Sequence, residues 1–419
     1  MQAEILATGD EIRTGALVDS NSAHIAELLE QNGVEVTRHL AVGDDLATLV
    51  AVLKEIGQRV DVAVVTGGLG PTQDDLSAEA AAQAAGVLLV PDARALEEIE
   101  AFFHKRGRPM SASNRKQAYF PEGARCLYNA LGTAPGFQMR IGRCTFFFLP
   151  GVPHEMRAML NEQVLPALHA LQGTMPQFRL TRVVSTFGLP ESIVGERVAA
   201  ISSAFPDIKL GLRAKFPEIQ VKLYLSCNDA AQGEARLADA VRWAQERLVP
   251  NVFSVRERTM AAEVGELLRQ RGATLAVAES CTGGLIANWL TNTAGSSDYF
   301  LFSAVVYANE SKVRVLGVSE ETLARMGAVD EETARQMAEG VRRVAGATYG
   351  LATTGIAGPG GGSAEKPVGT ICSALAGPEE TISRRLALSF GQRLMNKQMF
   401  AMLALDLLRR YLTGVLKPA

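Results

Sequence analysis

Short apolar segments alternate with amphipathic segments through the first part of this sequence. The alternation is typical of a mostly parallel β-sheet that carries helices on both faces. Three apolar and two amphipathic segments open the chain in this order: 3–8, 22–32, 34–42, 46–57 and 60–66. The same pattern predicts two more helices, at 76–85 and 92–106, and a strand at 144–150. The domain then ends near residue 172.

A different pattern follows a Gly/Pro break at residues 173–177. Apolar and polar side chains alternate over 208–216 and again over 219–225, which predicts an antiparallel hairpin with one solvated face. With one strand and two helices around it, this hairpin belongs to a small predicted α+β module. A solvated strand face is favoured over phosphate-backbone contact for its basic side chains, Lys209, Arg213, Lys215 and Lys222.

The strand and helix alternation returns near residue 258 and predicts a third, independent α/β domain. The chain closes with residues 399–412, which are apolar on nearly all sides. This pattern indicates a helix packed between two layers or into a subunit interface, and it suggests a homodimer. The predicted domains are 1–172, 177–254 and 258–416.

Composition excludes several classes of protein. The 419 residues are 47% hydrophobic and 21% charged, which excludes general disorder, and the net charge of −3 offers no basis for sequence-independent nucleic-acid binding. The five cysteines form no Cys-x-x-Cys pair, and no secretory signal or membrane-length apolar stretch is present. We therefore expect a cytoplasmic protein without a disulfide framework, a nucleic-acid partner or a membrane anchor.

A glycine-rich loop follows the predicted strand at 60–66. Gly67, Gly68 and Gly70 let the backbone approach a ligand, and the helix that follows offers unpaired N–H groups to a phosphate. Asp74 and Asp75 at the same helix start would repel a phosphate unless a divalent cation lay between them. The loop therefore predicts a combined metal and phosphate site.

Other polar residues follow the neighbouring predicted strands and are expected at the same sheet edge. Helix capping remains an equal alternative for any single acid among them, but their shared position supports hydrolysis of a phosphoanhydride with a metal ion. These residues are Asp10, Glu11, Asp19 and Asn21 after the first strand, Asp44 and Asp45 after the second, and Asn129 with Gly132, Thr133 and Gly136.

The first domain resembles the amino-terminal domain of the CinA family, a relative of the MogA/MoaB molybdopterin-binding fold, through TGDEIRTG, TGGLGPTQDD, NRKQAYFPEG, NALGTAPGF and LPGVPHEM. The resemblance implies a three-layer α/β domain that hydrolyses ADP-ribose with Mg²⁺, Mn²⁺ or Co²⁺. Asp44 and Asp75 correspond to ligand-site acids, with Thr72 in the matched glycine loop, whereas Asp10 departs from the usual Thr or Ser.

The predicted strand at 273–280 ends in Ser280, on a turn into a helix. A hydroxyl there is exposed, and helix-start N–H groups behind it would steady an oxyanion. All five histidines lie in the first domain, so the base available to Ser280 is Lys312, with Tyr307 as a proton relay and Asn309 nearby. Cys281 is the rival nucleophile, and a capping role for Ser280 also remains open.

A second loop, 353–370, contains six glycines, which permit close backbone approach to a ligand. Thr353, Thr354 and Lys366 could meet a carboxamide or a phosphate. No Walker lysine follows in the required spacing, so a nucleoside triphosphate is not indicated.

The third domain resembles the CinA carboxy-terminal domain, a PncC-type nicotinamide-nucleotide amidase, through AESCTGG, VVYANESK, TTGIAGPGGG and KPVGT. The resemblance implies conversion of nicotinamide mononucleotide to nicotinic acid mononucleotide and ammonia without a cofactor. Lys312 would be the base, Tyr307 the relay and Thr354 part of the oxyanion or carboxamide site. The matched substrate-binding positions are Cys281, Thr282, Gly283, Gly284, Asn309, Thr353, Gly355, Gly358, Gly360 and Arg393.

Two departures from the family pattern and two alternatives accompany this hypothesis. In the third domain, Lys397 stands where the family more often has a second arginine. The middle module resembles the KH-like connector of CinA proteins but lacks the Gly-x-x-Gly loop with which KH domains bind nucleic acid. The sequence predicts a bifunctional pyridine-nucleotide hydrolase. The alternatives are a non-catalytic binding scaffold that acts through partners in competence or DNA damage, and a first domain that only senses nucleotide.

Overall fold

A computed structural model describes residues 1–173 and 178–416; apart from Gly173, the predicted break at 173–177 lies outside the described residues. Contacts divide the chain into two compact units, Met1–Thr181 with Leu225–Arg236 and Arg182–Tyr224 with Leu237–Ala419. The division passes through strands of the predicted middle module. None of the helices in the described ranges has the length and apolar content needed to span a bilayer.

The first unit is built on a six-stranded sheet in the order β2-β1-β3-β8-β7-β6. Pairs β1–β2, β1–β3 and β3–β8 are parallel, as expected, whereas β7–β8 and β6–β7 are antiparallel and were not predicted. The strands are β1 (Gln2–Thr8), β2 (Glu35–Val42), β3 (Val62–Thr66), β4 (Leu89–Pro91), β5 (Tyr119–Pro121), β6 (Arg125–Leu127), β7 (Gly136–Ile141) and β8 (Cys144–Leu149).

Helices cover both faces of this sheet. Successive side chains of a strand point to opposite faces, so Phe146 and Phe148 enter one apolar cluster while Phe147 enters the other. The helices are α1 (Asp10–Arg13), α2 (Ser20–Gln31), α3 (Leu46–Arg59), α4 (Ser77–Ala85), α5 (Ala93–Lys105), α6 (Pro153–Met159) and α7 (Leu165–Gln172), with a 3₁₀ segment at Ala112–Ala118 and a π segment at Leu160–Val164.

The middle module has a four-stranded sheet in the order β10-β11-β9-β12. The predicted hairpin is present: its two strands are joined by Phe216 and Pro217, and Val221, Leu223 and Leu225 are buried. The elements are β9 (Phe178–Thr186), α8 (Glu191–Val198), α9 (Ile201–Ala204), β10 (Ile208–Lys215), β11 (Glu218–Cys227), α10 (Ala230–Leu248) and β12 (Val252–Ser254).

The last part of the chain forms a five-stranded sheet in the order β14-β13-β15-β16-β17. Strand β13 pairs in parallel with β14 and β15, and β16 and β17 add antiparallel neighbours. The strands are β13 (Leu275–Glu279), β14 (Phe300–Val305), β15 (Tyr349–Gly355), β16 (Thr370–Ala376) and β17 (Thr381–Ala387).

Helices again lie on both faces of this sheet. The last one, α16, buries Phe400, Leu405 and Leu408 against its own unit, which accounts for the apolar character of residues 399–412 without a second subunit. The helices are α11 (Met260–Gln270), α12 (Leu285–Thr291), α13 (Asn309–Leu316), α14 (Glu320–Met326), α15 (Glu331–Ala345) and α16 (Arg393–Leu412), with a 3₁₀ turn at Ser296–Asp298.

The aromatic centre of the first sheet generates a stability prediction. Phe148 is fully buried and stacks on Phe137 with ring centroids 4.3 Å apart, so Phe148→Ala leaves a cavity and should cost about 3–5 kcal/mol. Both tryptophans, Trp243 and Trp289, lie outside this unit. Native-state hydrogen exchange of the β3 and β8 amides is therefore the appropriate measurement.

The matched control is Leu88→Ala, since Leu88 is 73% exposed and its truncation should change the same opening free energy by no more than about 0.5 kcal/mol. Equal losses in the two variants would contradict the assigned core.

Two candidate active sites

Ser280 lies where three strands of the last sheet end together. The register places Glu279 opposite Val305 of β14 and Thr353 of β15, and the Ser280 N–H donates to the Thr353 carbonyl at 3.0 Å. Ser280 is 8% exposed, so the prediction of an exposed hydroxyl at this turn is wrong, and the residue is nearly buried where the strands end. This strand-to-helix turn is the predicted position for a nucleophile.

Lys312 is buried beside that turn. It is 1% exposed, and its Nζ donates to the carbonyls of Val306 at 2.9 Å and Tyr307 at 3.0 Å. The Val306 N–H in turn donates to the Glu279 carbonyl at 2.9 Å, which ties the lysine pocket to the end of β13. Two of the three ammonium protons are used, so one remains for another acceptor.

Burial lowers the pKa of Lys312 below its ordinary value, and this effect is opposed by Cys281 and Glu310. A lowered pKa is the direction required of a lysine base. No hydrogen bond joins Ser280 to Lys312 among the described residues. In an enzyme without its substrate, such bonds are often long and tighten only when the substrate binds.

Cys281 is unsuited to be the nucleophile. Its side chain is 5% exposed and packs with Ala357, Ile371 and Phe400. Burial raises the pKa of the Cys281 thiol to about 12, so almost no thiolate exists at neutral pH. Ser280 is therefore favoured over Cys281, and Cys281 could reach a substrate only through its backbone.

Glu279 belongs to this candidate site but was not predicted from the sequence. Its carboxylate is fully buried and accepts the N–H groups of Gly284 at 3.0 Å, Ile286 at 3.1 Å and Ala287 at 2.9 Å. It thereby fixes the turn that carries Ser280. A glutamate that ends the otherwise apolar strand LAVAE was the available signal.

This carboxylate changes the expected oxyanion site. The N–H groups at the start of α12 already bind Glu279, so they do not serve an oxyanion as the sequence suggested. Thr282 and Gly283 donate no backbone hydrogen bond to any residue in the described part of the chain. Their N–H groups are the donors left for a developing negative charge.

Three predicted threonine hydroxyls lie behind the turn. Thr353 and Thr282 are fully buried and share a hydrogen bond of 2.8 Å, and the Thr354 hydroxyl donates to the Ala328 carbonyl at 2.7 Å. Because the Thr354 hydroxyl proton is already used in this hydrogen bond, the hydroxyl oxygen can only accept a hydrogen bond from a carboxamide. Lys366 donates to the Met326 carbonyl at 2.7 Å, so its ammonium group supports the loop.

Cationic and aromatic side chains form the outer rim of this site. Arg393 donates to the Tyr307 hydroxyl at 3.1 Å and to the Gly358 carbonyl, while Tyr307 is 62% exposed. Lys397 Nζ lies 3.3 Å from the position that a Cβ atom on Gly283 would occupy. Gly284 is the N-cap of α12, Gly355 packs against Thr370, and Asn309 and Gly360 are exposed.

A second candidate site is a cavity of about 480 Å³ at the carboxyl ends of β1 and β3. Gly67 and Gly68 have φ values of +106° and +66°, and a Cβ on Gly67 would lie 2.5 Å from the Thr8 carbonyl oxygen, so glycine is required there. The cavity brings together most of the predicted residues, Glu11, Asp19, Asn21, Asp44, Gly67, Gly68, Gly70, Asp74, Asp75 and Thr133.

Other predicted residues do not line this cavity but form hydrogen bonds to residues that do, or cap helices. The Thr72 N–H donates to Asp75 at 2.8 Å, and Asn129 donates to Glu155 at 2.6 Å. Glu155 itself lines the cavity and was not predicted. Asp45 caps α3 through the Thr48 N–H at 2.8 Å, which matches the capping alternative.

The acids of the cavity repel one another. The pKa of Asp44 is raised, first by burial and then by the charges of Asp10, Glu11 and Asp74, against a lowering hydrogen bond from the Asp10 N–H. Within the described ranges, no group of three or more His, Cys, Asp or Glu side chains stands ready to hold a metal. The oxygen donors fit a hard cation that takes one or two carboxylates and completes its shell with water and substrate phosphate.

The buried thiol generates a reactivity prediction. Because Cys281 is neutral and buried, iodoacetamide at pH 7 should leave it unmodified in the folded protein and alkylate it after denaturation. Peptide mass spectrometry measures both states. Rapid native alkylation of Cys281 would contradict its assignment as an inert core residue.

Comparisons with known proteins agree along the whole chain. Residues 4–170 match the family model "Probable molybdopterin binding domain", residues 181–254 match "Damage-inducible protein CinA KH domain", and residues 257–412 match "CinA C-terminal domain". A solved structure of the competence/damage inducible protein CihA from Agrobacterium tumefaciens is 38% identical, covers 37% of this chain and 97% of its own, and has a TM-score of 0.35.

Curated relatives match over nearly their full length. A CinA-like protein of Desulfosudis oleivorans is 52% identical over 98% of this chain and 100% of its own length. A CinA-like protein of Geobacter sulfurreducens is 43% identical over 98% of this chain and 99% of its own length. The chain has a MogA/MoaB-like first domain, a KH-like connector and a CinA carboxy-terminal domain, and it belongs to the CinA family.

Proposed function

We propose that the carboxy-terminal domain is an amidase that converts nicotinamide mononucleotide to nicotinic acid mononucleotide and ammonia. The observation that carries this proposal is Lys312, a buried ammonium group with no carboxylate hydrogen-bonded to it among the described residues, held beside the Ser280 turn by two backbone carbonyls. A structural lysine at this depth would be expected to have an acidic partner.

The residues support a complete acyl-transfer cycle. Neutral Lys312 takes the proton of the Ser280 hydroxyl as the oxygen attacks the carboxamide carbon, and the oxyanion binds the N–H groups of Thr282 and Gly283. When the C–N bond breaks, Lys312 returns the proton to the leaving ammonia. Water, deprotonated by the same lysine, then attacks the ester carbon; as the bond to the Ser280 oxygen breaks, Lys312 gives the proton to that oxygen and both residues return to their starting forms.

Arg393 and Lys397 supply positive charge at the rim for the substrate phosphate. Tyr307 lies between this cationic rim and the Lys312 pocket, since its hydroxyl accepts a hydrogen bond from Arg393 and its carbonyl accepts one from Lys312. We propose that Tyr307 contacts the nucleotide and that its exposure leaves room for that contact.

Ser280→Ala should reduce ammonia release from nicotinamide mononucleotide by at least about a thousandfold, because the acyl-enzyme can no longer form. The rate of the unmodified protein should rise with pH up to the lowered pKa of Lys312, because only the neutral amine accepts a proton. A coupled ammonia assay over a range of pH measures both effects.

Cys281→Ala is the matched control, since the neighbouring thiol is buried and should contribute little to the rate. Full activity in Ser280→Ala, or its loss in Cys281→Ala but not in Ser280→Ala, would overturn the assignment of the nucleophile.

We further propose that the amino-terminal domain hydrolyses ADP-ribose to AMP and ribose 5-phosphate with Mg²⁺, Mn²⁺ or Co²⁺. The supporting observation is the cavity that joins a glycine loop to several acids whose charges repel one another. One or two of the carboxylates of Asp44, Asp74, Asp75 and Glu11 would hold the cation. The cation would supply charge neutralisation for the two phosphates.

The chain's own residues would do the remaining work. Gly67, Gly68 and Gly70 would let the phosphates come close to the backbone. The Asn21 side-chain amide donates to the Gly151 carbonyl at 2.8 Å, and its buried oxygen has no partner in the described structure. That oxygen can accept a hydrogen bond from a ligand hydroxyl.

Asp44→Asn should lower AMP release from ADP-ribose by about a hundredfold or more, because it removes one of the charges offered to the cation. The adjacent Asp45→Asn is the matched control, since Asn also caps helices and Asp45 only caps α3. Chromatographic detection of AMP, with each metal and with EDTA, is the measurement.

If ADP-ribose binds in calorimetry but no AMP forms with any metal, the domain is a nucleotide sensor and the pyrophosphatase proposal fails. Equal activity of the two variants would remove Asp44 from the site.

A further inference from the structure

The KH-like connector reaches the rim of the proposed amidase site within the second unit. The turn of its β10–β11 hairpin carries Phe216, whose ring meets the ring of Phe390 edge to face, with centroids 5.0 Å apart and planes at 70°. Phe390 belongs to the loop between β17 and α16, which immediately precedes Arg393.

That loop has few other supports. Residues 388–392 are all exposed. The Leu388 N–H donates to the Gly369 carbonyl at 3.0 Å, and the Phe390 N–H donates to the side chain of Asn396 at 2.9 Å. In the described part of the chain, the Phe216 ring provides the only aromatic contact to the loop.

Asn396 connects the Phe390 loop to the proposed amidase site. It is 1% exposed, and its amide donates to the Ala357 carbonyl at 3.1 Å, so it joins the Phe390 loop to the glycine-rich loop. Arg393, three residues earlier on the same helix, binds the Gly358 carbonyl and the Tyr307 hydroxyl. The Tyr307 carbonyl in turn holds Lys312.

We infer that Phe216 is a positioning residue of the amidase: the connector hairpin holds the Phe390 loop, and through it the start of α16, so that Arg393 faces the substrate. This inference rests on the proposed amidase function. It also gives the connector a role that needs no nucleic acid, in keeping with its missing Gly-x-x-Gly loop.

The effect should be on substrate binding. Phe216→Ala removes the edge-to-face contact, so the KM for nicotinamide mononucleotide should rise about three- to tenfold while kcat changes less than about twofold. Ser280 follows β13 and Lys312 lies on α13, and among the described residues no hydrogen bond joins either of them to the hairpin. A purely structural role would instead reduce the amount of active protein and leave KM unchanged.

Four further variants sharpen the test. Phe216→Tyr keeps the ring edge and should restore the KM, whereas Arg213→Ala, an exposed change on the same hairpin, should leave KM and kcat as they are. Phe390→Ala should reproduce the Phe216→Ala effect, and the double variant should be no worse than either one, because both remove the same contact.

Hydrogen exchange separates this inference from the proposed function. In Phe216→Ala, the amides of 388–393 should exchange faster, the Phe390 N–H above all, whether or not the substrate is correctly identified. An unmodified protein that releases no ammonia would refute the amidase proposal and, with it, this role for Phe216. An active protein in which Phe216→Ala changes neither KM nor this exchange would refute the positioning role alone.

Discussion

The central constraint on the second unit is the register of β13 between two parallel neighbours. Because β14 and β15 run in the same direction as β13, their carboxyl ends meet at one edge, and Ser280 lies at that edge beside Thr353 and the strand end that leads to Tyr307. A shift of one residue would turn the side chains of β13 to the opposite faces of the sheet. It would also separate Ser280 from the carbonyls that hold Lys312.

Two buried ionisable groups depend on that register in different ways. Glu279 ends β13, and its carboxylate accepts three backbone N–H groups. Lys312 is held by two carbonyls and has its pKa lowered by burial, which makes the neutral amine accessible. The carboxylate therefore shapes the turn, and the lysine is left as the group able to exchange a proton.

The cavity of the first unit follows the same geometric rule with different chemistry. Parallel strands again end at one edge, but their loops carry acids and glycines in place of a serine and a lysine. Burial and then the charges of Asp10, Glu11 and Asp74 raise the pKa of Asp44, and the proposed cation with phosphate would offset that repulsion. The two domains thus share an architecture while their loops suit different proposed reactions.

Local pattern was sufficient for much of this protein. Period-two and period-3.6 spacing predicted the principal strands and helices, and residue order placed glycines, acids, Ser280 and Lys312 at strand ends, because these features are encoded within about ten neighbouring residues. The antiparallel strands β6 and β7 were missed, since short segments among turns carry little periodicity. The tertiary structure alone decided four other features. These are the N–H groups that bind Glu279, the burial of Cys281 in the core, the capping role of Asp45 and the contact between Phe216 and Phe390. Each of these depends on distances between segments that folding brings together, and no periodicity along the chain records such distances.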